Sequence, residues 1–249
     1  MNDEPKSSVS SQRSPVDSDS IARNVRRVLE GIRQAAMRAG RQPEAVRLVA
    51  VTKTVSVERI SLAVKAGVRI VGENRLQEAQ PKIDALEGGR GVQWHFIGRL
   101  QRRKVKTVVG TFEMIHSVDS MELAAEIDRR AADAGIQQNV LLEVNAGREA
   151  TKTGFSPDEA ADAVTALEAM PNLSVRGLMA IPPPGPDAEA SRPYFHAMRE
   201  LARSLASPRL KRVRMEELSM GMSRDFEVAV EEGATLVRIG TAIFGERHG

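Results

Sequence analysis

The chain has 249 residues, 36 Lys and Arg against 33 Asp and Glu, a net charge of only +3, and no cysteine. This length buries a large core without a disulfide or metal staple, and the composition excludes cysteine-ligated zinc, iron–sulfur clusters and a thiol nucleophile. One Trp and one Tyr cannot build a stacking platform for nucleic acid, and no apolar run approaches the ~20 residues of a membrane span. We therefore expect a cytoplasmic globular protein without nucleic-acid or membrane partners.

The first predicted elements are a tail and a helix. Residues 1–17 are rich in Ser and nearly free of large apolar groups, so they cannot offset their own ordering entropy and are expected to be disordered. A capping cluster at 17–20 starts a helix, and Gly40 ends it. Apolar residues recur at helical spacing along this segment, namely Ile21, Val25, Val28, Leu29 and Ile32.

Eight short, nearly continuous apolar segments then alternate with helical patterns. They begin near Arg47, Arg69, Val92, Met114, Asn139, Val175, Glu217 and Leu236. Capping boxes are predicted at Asp119–Glu122 and Ser156–Glu159. The alternation is typical of the α/β class, as a single (β/α)8 TIM barrel preceded by an N-terminal helix. An open doubly wound sheet is the alternative, but no strand is followed by its GxGxxG loop.

Polar residues that close apolar strands are the candidates for function, because strand C-termini form the active face of a barrel. Lys53 closes the first strand, where partial desolvation would let its amine lose a proton and act as a Schiff-base nucleophile. The alternative is a lysine that extends to solvent. Asn74, at the end of the second strand, can hydrogen-bond a ligand oxygen, and Glu73 either orients Lys53 or caps the next helix.

The last two strands end in residues that suit a phosphate. Ser219, Gly240 and Thr241 can offer hydroxyl and backbone N–H donors to an anion. Arg238 lies within the apolar run of the eighth strand, so its guanidinium needs a partner, either a buried carboxylate or a cofactor ring nitrogen. His95 and His116 lie on adjacent strands without a clear third ligand, so no metal site is expected.

Six motifs follow one another along nearly the whole chain. They are VAVTK at 49–53, GEN-x2-QEA at 72–79, WHFIG at 94–98, RGLMAI at 176–181, LSMGMS at 218–223 and VRIGTAIFG at 237–245. Together they resemble the pyridoxal phosphate homeostasis proteins, a YggS/PROSC-like family similar to the N-terminal domain of alanine racemase. The chain departs from the family at Arg103, where Asn is common.

The resemblance implies a barrel of PLP fold-type III over residues 18–249, with pyridoxal 5'-phosphate (PLP) held as a Schiff base on Lys53. It places Ser219, Gly240 and Thr241 at the phosphate and Arg238 opposite the pyridine nitrogen; we add Asn74 to the expected cofactor-binding residues. The implied function is intracellular PLP homeostasis and delivery to apo PLP-dependent enzymes. We expect a monomer without robust catalytic turnover.

Two enzymes remain as alternatives. A PLP-dependent amino-acid racemase needs a second acid or base, but the one tyrosine, Tyr194, lies at the start of a helix. An arginine at the ring nitrogen also leaves PLP a weaker electron sink. A Schiff-base aldolase acting on a sugar phosphate would carry no chromophore. Lys152, after the fifth strand, is either a second amine that receives PLP or an ordinary surface lysine.

Overall fold

The computed structural model describes residues 18–86, 91–149 and 151–246. Its strands form a closed barrel in chain order, and each pairs in parallel with its neighbours. They are β1 (Arg47–Val51), β2 (Ile70–Glu73), β3 (Gln93–Phe96), β4 (Met114–Val118), β5 (Gln138–Glu143), β6 (Leu173–Met179), β7 (Val213–Ser219) and β8 (Leu236–Ile239). The predicted TIM barrel is thereby confirmed. The predicted tail lies outside the described residues, so the domain boundary at residue 17 stays a prediction.

Helices cover the outside of the barrel. They are α1 (Ser18–Arg38), α2 (Val57–Lys65), α3 (Leu76–Leu86), α4 (Val105–Val108), α5 (Met121–Asp133), α6 (Pro157–Leu167), α7 (Arg192–Leu205), α8 (Phe226–Glu231) and α9 (Thr241–Phe244). The capping box of α6 is confirmed: Ser156 Oγ accepts the Glu159 N–H, and the Glu159 carboxylate accepts the Ser156 N–H. The box predicted at Asp119–Glu122 is wrong, because α5 begins one residue later and Ser120 caps it.

The N-terminal helix α1 packs along α2, α8 and α9. Four of its predicted apolar residues are buried, which stabilises the fold by roughly 1.5–3 kcal/mol for each side chain; they are Ile21, Val25, Val28 and Ile32. Leu29 lies at the edge of this face and is 36% exposed. After α1 the chain turns at Gly40, where a φ of +66° requires the conformational freedom of glycine. None of the described helices is long and apolar enough to cross a membrane.

The barrel interior has an apolar part and a polar part. Strand alternation turns six apolar side chains inward as a separate buried cluster of Val49, Ile70, Met114, Leu141, Met179 and Leu236. The strand register aligns His95 with Met114 and Ser219 with Leu236, so these polar residues also face inward. His116 and Arg238 follow two residues after Met114 and Leu236 on the same strands, and both are buried. The interior therefore becomes polar towards the carboxyl ends of the strands.

Candidate functional site

The barrel mouth holds a cavity of about 440 Å³. This volume lies within the range of small-molecule sites. The residues on its wall lie at the ends of strands and in the loops that follow them, and they include Lys53, Lys152, Ser223, Arg238, Gly240 and Thr241. Four predicted residues therefore share one cavity, whereas Asn74 and Ser219 do not line it.

Lys53 lies on the cavity wall immediately after β1, and its side chain is exposed. The partial desolvation expected for this amine is therefore not what the structure shows. The next residue, Thr54, has a φ of +61°, an unfavourable conformation for a β-branched residue, and its N–H donates to Glu78 Oε2 at 3.0 Å. Backbone strain of this kind is concentrated at functional sites, and it persists only where the surrounding contacts enforce it. The chain thus bends sharply directly after Lys53.

A buried ion pair between Glu73 and Lys82 holds Thr52, the residue that follows β1. Glu73 Oε1 accepts the Thr52 hydroxyl at 2.5 Å and the Lys82 amine at 2.8 Å, and that amine also donates to the Thr52 carbonyl at 2.8 Å. Glu73 is fully buried. Both roles expected for Glu73 are wrong, since its partners are Thr52 and Lys82 rather than Lys53 or a helix end. Lys82 lies in the middle of α3, and no sequence signal distinguished it from an exposed helical lysine.

A hydroxyl and neighbouring backbone amides form a polar cup at the ends of β7 and β8, and β8 is the strand that pairs with β1. Ser223 Oγ accepts the N–H groups of Gly240 and Ala242 at 3.3 and 3.2 Å. Thr241 begins α9, where the first N–H groups have no partner within a helix, and its side chain is exposed at the cavity. The hydroxyl hydrogens of Ser223 and Thr241 are donors that suit a phosphate, whereas the Gly240 and Ala242 N–H groups already donate to Ser223 Oγ, so the Gly240 N–H is not free for the anion expected there. The motif at 218–223 contains Ser223, but no role is predicted for this residue from the sequence.

The loop that presents Ser223 has a tightly fixed backbone. Gly221 has a φ of +90°, and a Cβ at this position would come within 2.5 Å of the Ala229 Cβ. Asp225 accepts the Met222 N–H at 2.7 Å and the Ser191 hydroxyl at 3.0 Å. Because glycine and a buried carboxylate hold both sides of this loop, the Ser223 hydroxyl is positioned before any ligand binds.

Ser219 does not belong to the cup. Its side chain is fully buried in the barrel interior, and its Oγ lies 2.6 Å from Arg238 Nη1 and 2.9 Å from His116 Nδ1. The phosphate-binding role predicted for Ser219 does not fit this geometry, since it closes β7 on the inward face. Ser223, four residues later, lines the cavity, whereas Ser219 does not.

Arg238 reaches the cavity from the barrel interior and is 6% exposed. Its guanidinium donates to the Ser219 carbonyl at 2.7 Å, to Ser219 Oγ at 2.6 Å and to the Ala180 carbonyl at 2.9 Å. Burial lowers the pKa of Arg238 to about 10, while the charges of Asp225 and Glu143 act in the opposite direction. The group therefore stays protonated at neutral pH. In the described residues no carboxylate lies within 4.0 Å of it, which leaves the ring-nitrogen alternative open.

Asn74 packs against Gly98, in the loop that follows β3. Its Oδ1 is buried and has no hydrogen-bond partner within the described ranges, and a Cβ on Gly98 would come within 2.4 Å of the Asn74 carbonyl. An unpaired buried acceptor costs free energy unless a water or ligand satisfies it. The cofactor-binding role of Asn74 stays a prediction.

A closed parallel barrel with an amine, a guanidinium and an anion cup at one mouth defines a class of small-molecule-binding TIM barrels. The family model for the alanine racemase N-terminal domain matches residues 16–248. Pyridoxal phosphate homeostasis proteins of Aquifex aeolicus and Escherichia coli are 48% and 40% identical, over 89% and 91% of this chain and 96% and 97% of theirs. The chain belongs to the pyridoxal phosphate homeostasis family.

Solved structures agree with this assignment. PipY of Synechococcus elongatus, with PLP bound, is 36% identical with a TM-score of 0.76, covering 90% of this chain and all of PipY. A protein from Bifidobacterium adolescentis is 37% identical with a TM-score of 0.83, over 91% and 95% of the two chains. Alanine racemase of Clostridium difficile shares the fold at 17% identity and a TM-score of 0.67, covering 91% of this chain and 57% of the racemase.

Proposed function

We propose that this protein binds PLP at the barrel mouth and acts in intracellular PLP homeostasis and delivery, without robust catalytic turnover. The observation that carries the proposal is the sharing of one cavity by Lys53, Arg238 and the cup of Ser223, Gly240 and Thr241. PLP combines a phosphate, a ring nitrogen and an aldehyde, and these three groups match the donors present. The family's name and the PLP-bound PipY structure support the same ligand.

Each part of the cavity has a distinct role in this proposal. The Ser223 and Thr241 hydroxyls and the Thr241 N–H would bind the phosphate through charge-assisted hydrogen bonds, and the Gly240 and Ala242 N–H groups hold Ser223 in place. Arg238, held protonated, donates to the ring nitrogen. When bound, PLP would supply an aldehyde carbon, and Lys53 is the residue whose amine would hold it as a Schiff base. Exposure of Lys53 leaves its amine accessible to a ligand that enters from solvent.

Two features argue against the racemase alternative. Tyr194 lies in the first turn of α7, and it is not among the residues that line the cavity. Arg238 cannot transfer its proton to a ring nitrogen at neutral pH, so PLP would remain a weak electron sink. Incubation with L-alanine in deuterated water is expected to give neither racemisation nor α-deuterium exchange. Multiple-turnover exchange would contradict the proposal.

A direct experiment tests the attachment site. The protein loaded with PLP is expected to absorb visible light, and borohydride is expected to fix a pyridoxyl group on Lys53, detected by peptide mass. Lys53→Ala should remain folded and lose the visible band, because an exposed side chain contributes little to the core. Lys65→Ala, an exposed lysine at the end of α2, is the matched control and should keep it. A pyridoxyl group on another residue would overturn the assignment of Lys53.

Partners, assembly and location belong to the same proposal. Lys152 lines the same cavity as Lys53, so a second amine lies in the site; its Nζ pairs with Glu149 Oε1 at 2.5 Å, and this pair must open before the amine can accept PLP. We infer delivery to apo PLP-dependent enzymes by a monomeric protein in the cytoplasm, where the absence of cysteine is unremarkable. Sedimentation of the loaded protein alone and with an apo-enzyme measures both the assembly state and the partnership.

A further inference from the structure

A chain of hydrogen-bonded polar side chains extends from Arg238 into the barrel interior. Arg238 Nη1 donates to Ser219 Oγ at 2.6 Å, His116 Nδ1 lies 2.9 Å from the same oxygen, and His116 Nε2 lies 2.9 Å from His95 Nδ1. Ser219 and both histidines are at most 1% exposed. The chain joins residues of four strands, β8, β7, β4 and β3, and none of the roles assigned so far uses the histidines.

Both histidines are neutral. Burial lowers the pKa of His95 to about 3, and the charge of Arg47 acts in the same direction. Burial, His95, Arg238 and Arg47 hold the pKa of His116 well below its ordinary value. A neutral imidazole has one donor nitrogen and one acceptor nitrogen, so each ring must orient one way within the chain.

The guanidinium determines that orientation. Arginine only donates, so Ser219 Oγ must accept a hydrogen bond from it. The hydroxyl hydrogen of Ser219 then needs an acceptor of its own. Among the described residues, the one other partner of this oxygen is His116 Nδ1. If His116 Nδ1 accepts the serine hydrogen, His116 carries its own hydrogen on Nε2 and donates it to His95 Nδ1. The opposite order would leave the serine hydroxyl hydrogen buried without an acceptor, which is costly.

We propose that His116 and His95 are positioning residues, which act through Ser219 to hold Arg238 in the orientation that a ligand ring meets. This inference rests on the proposed PLP function, since the ring nitrogen is the ligand group that Arg238 faces. His116 holds the Ser219 hydrogen away from the guanidinium, so that Oγ presents a lone pair to Nη1. His95 fixes the tautomer of His116. A polar chain surrounded by apolar side chains is favourable only when every member is satisfied, so it defines one arrangement.

The tautomers can be measured without any ligand. Nitrogen-15 NMR of the apo-protein is expected to show His116 and His95 as neutral rings with hydrogen on Nε2, unchanged from pH 8 to pH 5.5. His196, whose side chain is 55% exposed, provides the comparison with a ring at the protein surface. Hydrogen on Nδ1 of His116, or a charged ring in this pH range, would overturn the proposed orientation. This result stands whether or not PLP binds.

A pair of variants tests the link to the ligand. His116→Phe fills the space but cannot accept the serine hydrogen, whereas the amide of His116→Gln can accept it and donate to His95. We expect His116→Phe to weaken PLP binding by about tenfold and to shift the visible band. This magnitude corresponds to the loss of one hydrogen bond that positions Arg238. His116→Gln should restore most of both. If both variants alter thermal stability while PLP affinity and spectrum stay unchanged, the histidines serve packing alone and the proposal is wrong. An unmodified protein that binds no PLP would instead contradict the proposed function.

Discussion

Replacing Ser223 with alanine is the most direct test of the anion cup. The Ser223 hydroxyl accepts two backbone N–H groups and keeps its own hydrogen to donate towards the cavity. A hydrogen bond to a charged phosphate contributes roughly 1.5–3 kcal/mol, which corresponds to about 10- to 150-fold in Kd. The alanine variant also frees the amides of Gly240 and Ala242, which can then turn to the phosphate. This compensation favours the lower end of the range in Kd, so we expect PLP to bind about tenfold more weakly.

The assay compares two ligands and two variants. Titration of the visible band with PLP and with pyridoxal, which lacks the phosphate, separates binding at the cup from binding elsewhere. Ser223→Ala should weaken PLP binding and leave pyridoxal binding unchanged, with the visible maximum in the same place. Ser219→Ala should behave differently, because Ser219 contacts Arg238 rather than the cup, and should affect both ligands alike. Equal losses for PLP and pyridoxal in Ser223→Ala would refute a phosphate cup at this loop.

Two further predictions concern pH and release. Because the folded pKa of His95 is about 3 against an ordinary 6.5, the unfolded state binds more protons between these values, and stability falls as pH drops below 6.5. We expect the free energy of unfolding, measured in urea, to fall by about 1.4 kcal/mol per pH unit between pH 6 and 5 because of this residue. The His95→Gln variant should lack this contribution, and an unaltered slope in that variant would contradict the prediction. Lys152→Ala should slow PLP transfer to an apo-enzyme relative to Lys65→Ala, and unchanged transfer would exclude Lys152 from the release route.

The barrel was predictable because parallel strands buried on both faces leave nearly continuous apolar runs. The same reasoning explains where the boundaries were missed. β7 begins at Val213, four residues before the expected Glu217, because Arg214 and Glu216 face outward and interrupt the apolar run. A strand with one exposed face at its start lacks the signal used to find the others. β6 begins at Leu173 rather than near Val175 for a similar reason, since Ser174 lies between its first apolar residues.

The site was predictable in its location but only partly in its residues. Strand ends identify the mouth, and Lys53, Arg238, Gly240 and Thr241 all reach it. Which of two serines four residues apart reaches the cavity depends on the face of β7 that Ser219 occupies and on the course of the loop that carries Ser223. An apolar run does not reveal that face, because both faces of a parallel strand are buried. The contact between His95 and His116 depends in the same way on the stagger of β3 against β4, which places His95 opposite Met114.

The surroundings of Arg238 distinguish a ligand site from a structural ion pair. In the described residues, Lys82 shows the structural arrangement: its buried amine contacts the carboxylate of Glu73 directly. Arg238 is equally buried, yet two carbonyls and a hydroxyl hold it, and the nearest favourable charges, on Asp225 and Glu143, act from a distance. A guanidinium has five N–H donors, and these contacts use three. Neutral acceptors offset only part of its desolvation, so the residue is poorly suited to stabilising the empty barrel. Its remaining donors and its charge are better explained by a ligand that enters through the mouth and supplies the missing acceptor.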